Sequence, residues 1–224
     1  FFQQKNCSVL GIEPSIETAK NATEKGIETL SKFFNSDLSK KIVENYGNAN
    51  LITINNLFAN IDDLHDFAGG LEHLLGDDGV LVIESSYLLD MVNNMVFDFI
   101  YHEHLSYFSI IPLVSFFKQF RIKLVKVEHV GTKGGSLRYY WAKESSNRPV
   151  DDSVSQFIAE EEKTGIDTDF FKHYEIRINR AKKELIDVLE TYKGKKIVGY
   201  GASATSTTLI SHFGLDAHLT SLVD

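Results

Sequence analysis

Apolar runs of strand length alternate along this chain with segments of helical periodicity, and that alternation restricts the fold more than any other feature. "NANLITINN" (48–56) reads as a buried strand. "IDDLHDFAGGLEHLL" (61–75) places Ile61, Leu64, Phe67, Ala68, Leu71, Leu74 and Leu75 at helical spacing, and "GVLVIESS" (79–86) is a strand after the turn "GDDG". Upstream, "CSVLGIEPS" (7–15) reads as a strand followed by the helix "SIETAKNATEKG" (15–26), with Pro14 suited to its start and Gly26 to its end. Strands alternating with helices predict an α/β fold with a parallel sheet covered on both faces.

Further along, an apolar helix "IIPLVSFFKQF" (110–120) precedes two strand-like runs, "KLVKVEHV" (123–130) and "GSLRYYWAK" (135–143). The short "GTKGG" between them predicts a hairpin, so this end of the sheet is expected to be antiparallel. From Asp151 to Tyr192 the chain turns polar and helical, with apolar positions Ile178, Ala181, Leu185, Ile186 and Leu189. A second α/β unit begins at "KKIVGYGASATSTTLISHFG" (195–214). The expected organisation is a first α/β domain over 1–145, a helical connector over 146–193, and the start of a second α/β domain over 194–224.

Composition narrows the partners. With 23 Lys+Arg against 31 Asp+Glu, a net charge of −8 and no basic block, nucleic acid is not an expected partner. The single cysteine, Cys7, excludes an intramolecular disulfide and a multi-cysteine zinc site, which fits a reducing cytoplasm. No apolar run approaches the roughly 20 residues that span a bilayer, so no membrane partner is expected. Opening on Phe1-Phe2 without Met and ending just after "LTSLV", the sequence reads as a piece of a longer chain.

Five places carry candidate chemistry. Glu13 ends a predicted parallel strand, where ligands of open α/β sheets bind, and a carboxylate there can accept both hydroxyls of a ribose; the competing reading is a solvated loop residue. Asn56, at the end of "LITINN", raises the same question more weakly. "GYGASA" (199–204) fits G-x-G-x-x-G/A between strand and helix, with Asp224 twenty residues beyond Ala204. Glycines that let the backbone approach, and N–H groups at a helix start, suit any phosphate, and the hydroxyls of Ser203, Thr205, Ser206, Thr207 and Thr208 favour a ligand over a bare turn. "KGGSLRYY" (133–140) reads first as a plain hairpin, although Arg138 could reach an anionic substrate.

The fifth place is "YHEH", Tyr101 to His104. A metal site, an acid/base site and a polar patch compete for it. His102 and His104 at i, i+2 could share a metal, but the next acid downstream is Glu128, so no further ligand follows at short spacing. Acid/base work leads the readings, because imidazole titrates near neutral pH, an adjacent carboxylate can orient it, and a tyrosine hydroxyl can donate to an enolate oxygen.

Taken in order and spacing, "GIEPS", "NNLFANIDDLHDF", "GVLVIESSYLLDMVNNMVFDFIYHEHLSYFS", "KGGSLR" and "GYGASA" resemble the S-adenosylmethionine-dependent sugar C-methyltransferases, which act on nucleotide-linked keto-deoxysugars. The resemblance covers nearly the whole chain and is most specific at "YHEHLSYFS". It implies a class I methyltransferase Rossmann-like sheet truncated at its N-terminal end, then the helical connector, then a second, partial Rossmann-like domain. The family's zinc domain and the glycine-rich loop after its first strand lie outside this sequence. The resemblance makes His104 the general base, with Glu103 and Tyr101 beside it. It assigns Glu13, Pro14, Asn56, Leu57 and Phe58 to S-adenosyl-L-methionine, and Arg138, Tyr200, Gly201, Ala202 and Ser203 to the nucleotide sugar, with no metal. Two departures stand out: Lys133 where the family's turn commonly has histidine, and "GYGASATSTT" in place of a "GYGAPAKG" type. The rival readings are an NAD(P)-dependent oxidoreductase using "GYGASA" and Asp224, and a non-catalytic nucleotide-sugar binder.

Overall fold

The computed structural model of the protein describes residues 2–224. The fold is α/β, and the chain forms two compact units: one runs to Asn50 and takes in Asp63–Gly76, and the other comprises Leu51–Asp62 with Asp77–Asp224.

In the first unit β1 (Gly11–Ile12) and β2 (Thr29–Leu30) pair in parallel around α1 (Ile16–Glu24). Regular strand structure is shorter than the apolar run suggested. Ser15, not Pro14, caps α1, its hydroxyl accepting the N–H of Thr18. The helices α2 (Ser36–Tyr46) and α3 (Leu64–Leu74) pack together: the buried Ser39 hydroxyl donates to the Gly70 carbonyl at 2.7 Å, and Phe34 meets Phe67 edge to face. Asp63 caps α3 through the N–H of Asp66.

The sheet that carries the second unit has the order β3-β4-β6-β5, with β3 at Ala49–Asn55, β4 at Leu75–Ser86, β5 at Ile122–Val130 and β6 at Ser136–Lys143. β6 lies antiparallel to both β4 and β5, as the hairpin reading required. Two expectations change. β3, expected as a buried strand, is an edge strand with four of its seven residues exposed. The expected turn "GDDG" lies inside β4, where Arg148 donates to the Asp78 carbonyl and Lys143 pairs with Asp77.

One face of the sheet is covered by α5 (Ile110–Lys118), and the fully buried Phe117, Tyr139 and Trp141 form the centre of this core, with the rings of Phe117 and Trp141 4.4 Å apart. Helix α6 (Asp152–Thr164) ties to β5 through the Ser153 hydroxyl, which accepts the N–H of Val127. A second cluster joins Leu88, Met91 and Val92 of α4 (Leu88–Asn93) to Phe97, to Tyr174 of α7 (Thr168–Glu190), and to Phe213 and Leu215. The apolar positions read from the sequence, Ile178, Ala181, Leu185, Ile186 and Leu189, all pack against it, so α7 is part of this core. The parallel strands β7 (Val198–Tyr200) and β8 (Ser221–Val223) flank α8 (Ala204–Phe213). Among the described residues no helix is long and apolar enough to cross a membrane.

Candidate active site

The segment from Phe97 to Ser109 lies between two parts of the second unit. Its start is a single helical turn, Phe97–Phe99, whose Phe97 ring stacks on Phe213 of α8 at 5.2 Å. Its end is held by the Ala59 carbonyl, which accepts the N–H groups of Leu105 and Ser106 at 2.9 and 3.1 Å. Ala59 belongs to the turn that follows Asn56 and Leu57, so the structure joins "YHEH" to the strand end that the sequence marked separately.

Within this segment His104 is half-buried, and its Nδ1 lies 2.9 Å from the Phe99 carbonyl oxygen. A carbonyl oxygen has no proton, so Nδ1–H donates, and in the neutral ring Nε2 keeps its lone pair. The Tyr101 ring lies 4.6 Å from the imidazole and the Tyr107 ring approaches edge-on at 6.2 Å. Tyr107 also donates its hydroxyl to the Phe99 carbonyl, at 3.3 Å. The group that orients His104 is therefore a backbone carbonyl, which residue-type reasoning could not detect, while the exposed Glu103 acts on Tyr101. Burial, and after it the charge of Glu103, push the Tyr101 hydroxyl above its ordinary pKa. It stays a neutral donor at physiological pH.

Beside this group opens a cleft of about 440 Å³, lined by Tyr101 and His102 and, from α8, by Ala204, Thr207, Thr208, Ser211 and His212. Of the hydroxyl-rich helix start seen in the sequence, Thr207 and Thr208 thus share a cleft with the "YHEH" segment. The preceding turn is open: Gly201 has φ +105°, and a Cβ on it would meet nothing within 4 Å. Tyr200 is exposed, the Ser203 hydroxyl caps α8 by accepting the N–H of Ser206, and the Ala202 N–H donates to Asp224. The fingerprint acid thus reaches back to its own turn.

The other assigned residues divide clearly. Asn56 takes a left-handed conformation at the end of β3, its N–H donating to the Glu84 carbonyl at 2.8 Å. Leu57 is exposed, but the Phe58 side chain is buried against Phe108 and Phe117, so only its backbone is available to a ligand. In the first unit, Glu13 sits at the end of β1, its carboxylate accepting the N–H of Ser15, and Pro14 is exposed.

Arg138, assigned to substrate by the resemblance, has protein partners of its own. It stands in register between Glu84 and Glu128 on the flanking strands, bonds Glu84 at 2.7 and 3.1 Å, and lies 3.7 Å from Glu128, so two carboxylates already neutralise it. Glu84 is buried. Arg138→Ala, which leaves that carboxylate without its cation, is expected to lower stability by about 1–3 kcal/mol in urea unfolding with substrate KM unchanged; a raised KM at full stability would restore the substrate role. The glycines of "KGG" answer to packing as well, since a Cβ on Gly135 (φ +124°) would stand 2.3 Å from Asp90.

Comparison with known proteins places the chain among similar sequences and folds. Residues 131–224 match the family described as C-methyltransferase C-terminal domain. Over 217 residues the chain is 30% identical to the C-methyltransferase NovU of Streptomyces niveus, an alignment that takes in 96% of this chain and 52% of that protein. Over most of its length the chain is thus similar to a C-methyltransferase. It spans about half the length of the curated C-methyltransferase it matches. The segment matched to the C-methyltransferase C-terminal domain runs from the "GTKGG" turn through α8, and so supplies one wall of the cleft. Among solved structures, a protein from Pyrococcus horikoshii OT3 aligns at 10% identity over 63% of this chain and 74% of its own, TM-score 0.47. A SAM-dependent methyltransferase from Anabaena variabilis aligns at 11% identity over 60% and 68%, TM-score 0.46.

Proposed function

We propose that this protein methylates a ring carbon next to the ketone of a nucleotide-linked deoxysugar, with S-adenosyl-L-methionine as methyl donor. The observation that carries the reading is the tautomer of His104: Nδ1–H is committed to the Phe99 carbonyl, which leaves the lone pair on Nε2, in a segment whose Tyr101 and His102 line a cleft with the hydroxyls of Thr207, Thr208 and Ser211.

Nε2 takes the proton from the carbon next to the ketone, and the electron pair of that C–H bond passes into the enolate. Tyr101, kept protonated, donates to the enolate oxygen as charge develops there. The donor, when bound, would supply an electrophilic sulfonium methyl group, its S–CH3 bond breaking as the new C–CH3 bond forms and S-adenosylhomocysteine departing. Polar groups on α8 and the open turn at Tyr200, Gly201, Ala202 and Ser203 suit the hydroxyls and phosphates of the substrate. Glu13 offers a carboxylate of the kind that accepts two ribose hydroxyls, and Asn56 and Leu57 an exposed strand end. The absence of a basic block and the net charge of −8 leave a small anionic substrate to be recognised locally at N–H groups.

Calorimetric titration of the intact protein with S-adenosylhomocysteine and, separately, with NADH tests the reading. Tight binding of the first and none of the second is expected. The reverse result would move the function to nicotinamide chemistry at "GYGASA".

A further inference from the structure

Thr208 lines the cleft, yet its hydroxyl is already engaged: it donates to the Ile100 carbonyl at 3.1 Å, across 108 residues of chain. Ile100 is the residue after Phe99, whose carbonyl sets the His104 tautomer. Phe97, at the head of the same turn, stacks on Phe213 one helical turn along α8. Two points of α8 therefore grip the backbone on either side of the carbonyl that orients the base. The remaining anchor, Ala59, holds Leu105 and Ser106, on the far side of His104.

We infer that Thr208 is a positioning residue for His104: through the Ile100 carbonyl, α8 of the glycine-turn unit fixes the backbone that carries the base. The helix whose N-terminal turn faces the open "GYGASA" loop is thereby tied to the proton-abstracting group, so a ligand that orders the loop also orders the base. The inference rests on the proposed proton abstraction for its catalytic consequence, and on geometry alone for its structural one.

The test compares Thr208→Val, which removes the hydroxyl at constant shape, with Thr208→Ser, which keeps it, in the intact protein. One hydrogen bond lost between two packed segments corresponds to a rate loss on the order of tenfold. Thr208→Val is expected to slow solvent deuterium exchange at the substrate carbon by that factor, with KM for the sugar and S-adenosylhomocysteine affinity unchanged. Thr208→Ser is expected to restore the rate. Independently of turnover, ¹⁵N spectra are expected to show His104 losing its fixed Nδ1–H tautomer in the valine variant and regaining it in the serine variant. A valine variant with wild-type exchange and a wild-type imidazole spectrum overturns the inference, and so does one that raises KM alone, which would make Thr208 a direct substrate contact. If the wild-type protein exchanges no proton, the proposed reaction fails, while the imidazole spectra still decide the positioning role.

Discussion

Alanine in place of His104 is expected to abolish exchange of the substrate's α-proton with solvent deuterium, a fall of about 10²–10⁴-fold, while S-adenosylhomocysteine binding stays at its wild-type level. The size follows from the loss of an imidazole whose proton inventory is set by the backbone. With Nδ1–H held by the Phe99 carbonyl, Nε2 is the atom with a lone pair to offer, and no neighbour in the segment can replace it. Tyr101 is held protonated by burial and by Glu103, and so donates where a base must accept. His102 faces the same cleft but is exposed, and its neighbourhood offers no comparable backbone lock. His102→Ala therefore serves as the internal control and should retain most of the exchange. Exchange that persists in His104→Ala and vanishes in His102→Ala would transfer the base to the other imidazole.

How much of this was legible in the sequence depends on whether the determinant is a side-chain type or a backbone group. The α/β alternation, the hairpin at "GTKGG" and the apolar stripe of α7 were readable because they are periodicities, and the structure places them in the sheet and the second core. "YHEH" was readable as chemistry because titratable types stand in a row. The lock on His104 was not, since every residue offers a carbonyl and only the path of the chain brings that of Phe99 to Nδ1. The partners of Arg138 were hidden for a related reason. A lone arginine after a glycine turn suggests an anion, but strand register sets it between Glu84 and Glu128, residues 54 and 10 positions away, and register is a property of pairing that no local window contains. The α8 wall was half legible: the hydroxyls were visible, and which face they would turn to the "YHEH" segment was not.

Glu161 is the extreme case of an invisible determinant, and its replacement by alanine should cost the fold about 2–5 kcal/mol, read as a fall in the urea midpoint at unchanged slope. In the sequence it is one of three consecutive glutamates in "AEEEK", a pattern of a solvated helix face. In the structure it is 2% exposed. Its two carboxylate oxygens accept the N–H groups of Ile110 and Ile111, at 2.5 and 3.0 Å, at the first turn of α5. The residue at the cap position, Ser109, makes no side-chain bond there, so Glu161 performs the capping from another helix, with its charge at the positive end of the α5 dipole. Alanine leaves the buried Ile110 N–H and the part-buried Ile111 N–H without acceptors, in the turn that carries the fully buried Ile110. Glutamine keeps one oxygen acceptor of the same reach, so Glu161→Gln should lose about half as much. If both variants unfold at the wild-type midpoint, water satisfies these N–H groups and the cap contributes nothing. If the predicted order holds, the helix directly after "LSYFS" owes its start to a residue fifty positions downstream, and the base-bearing segment is anchored at its C-terminal end by α6.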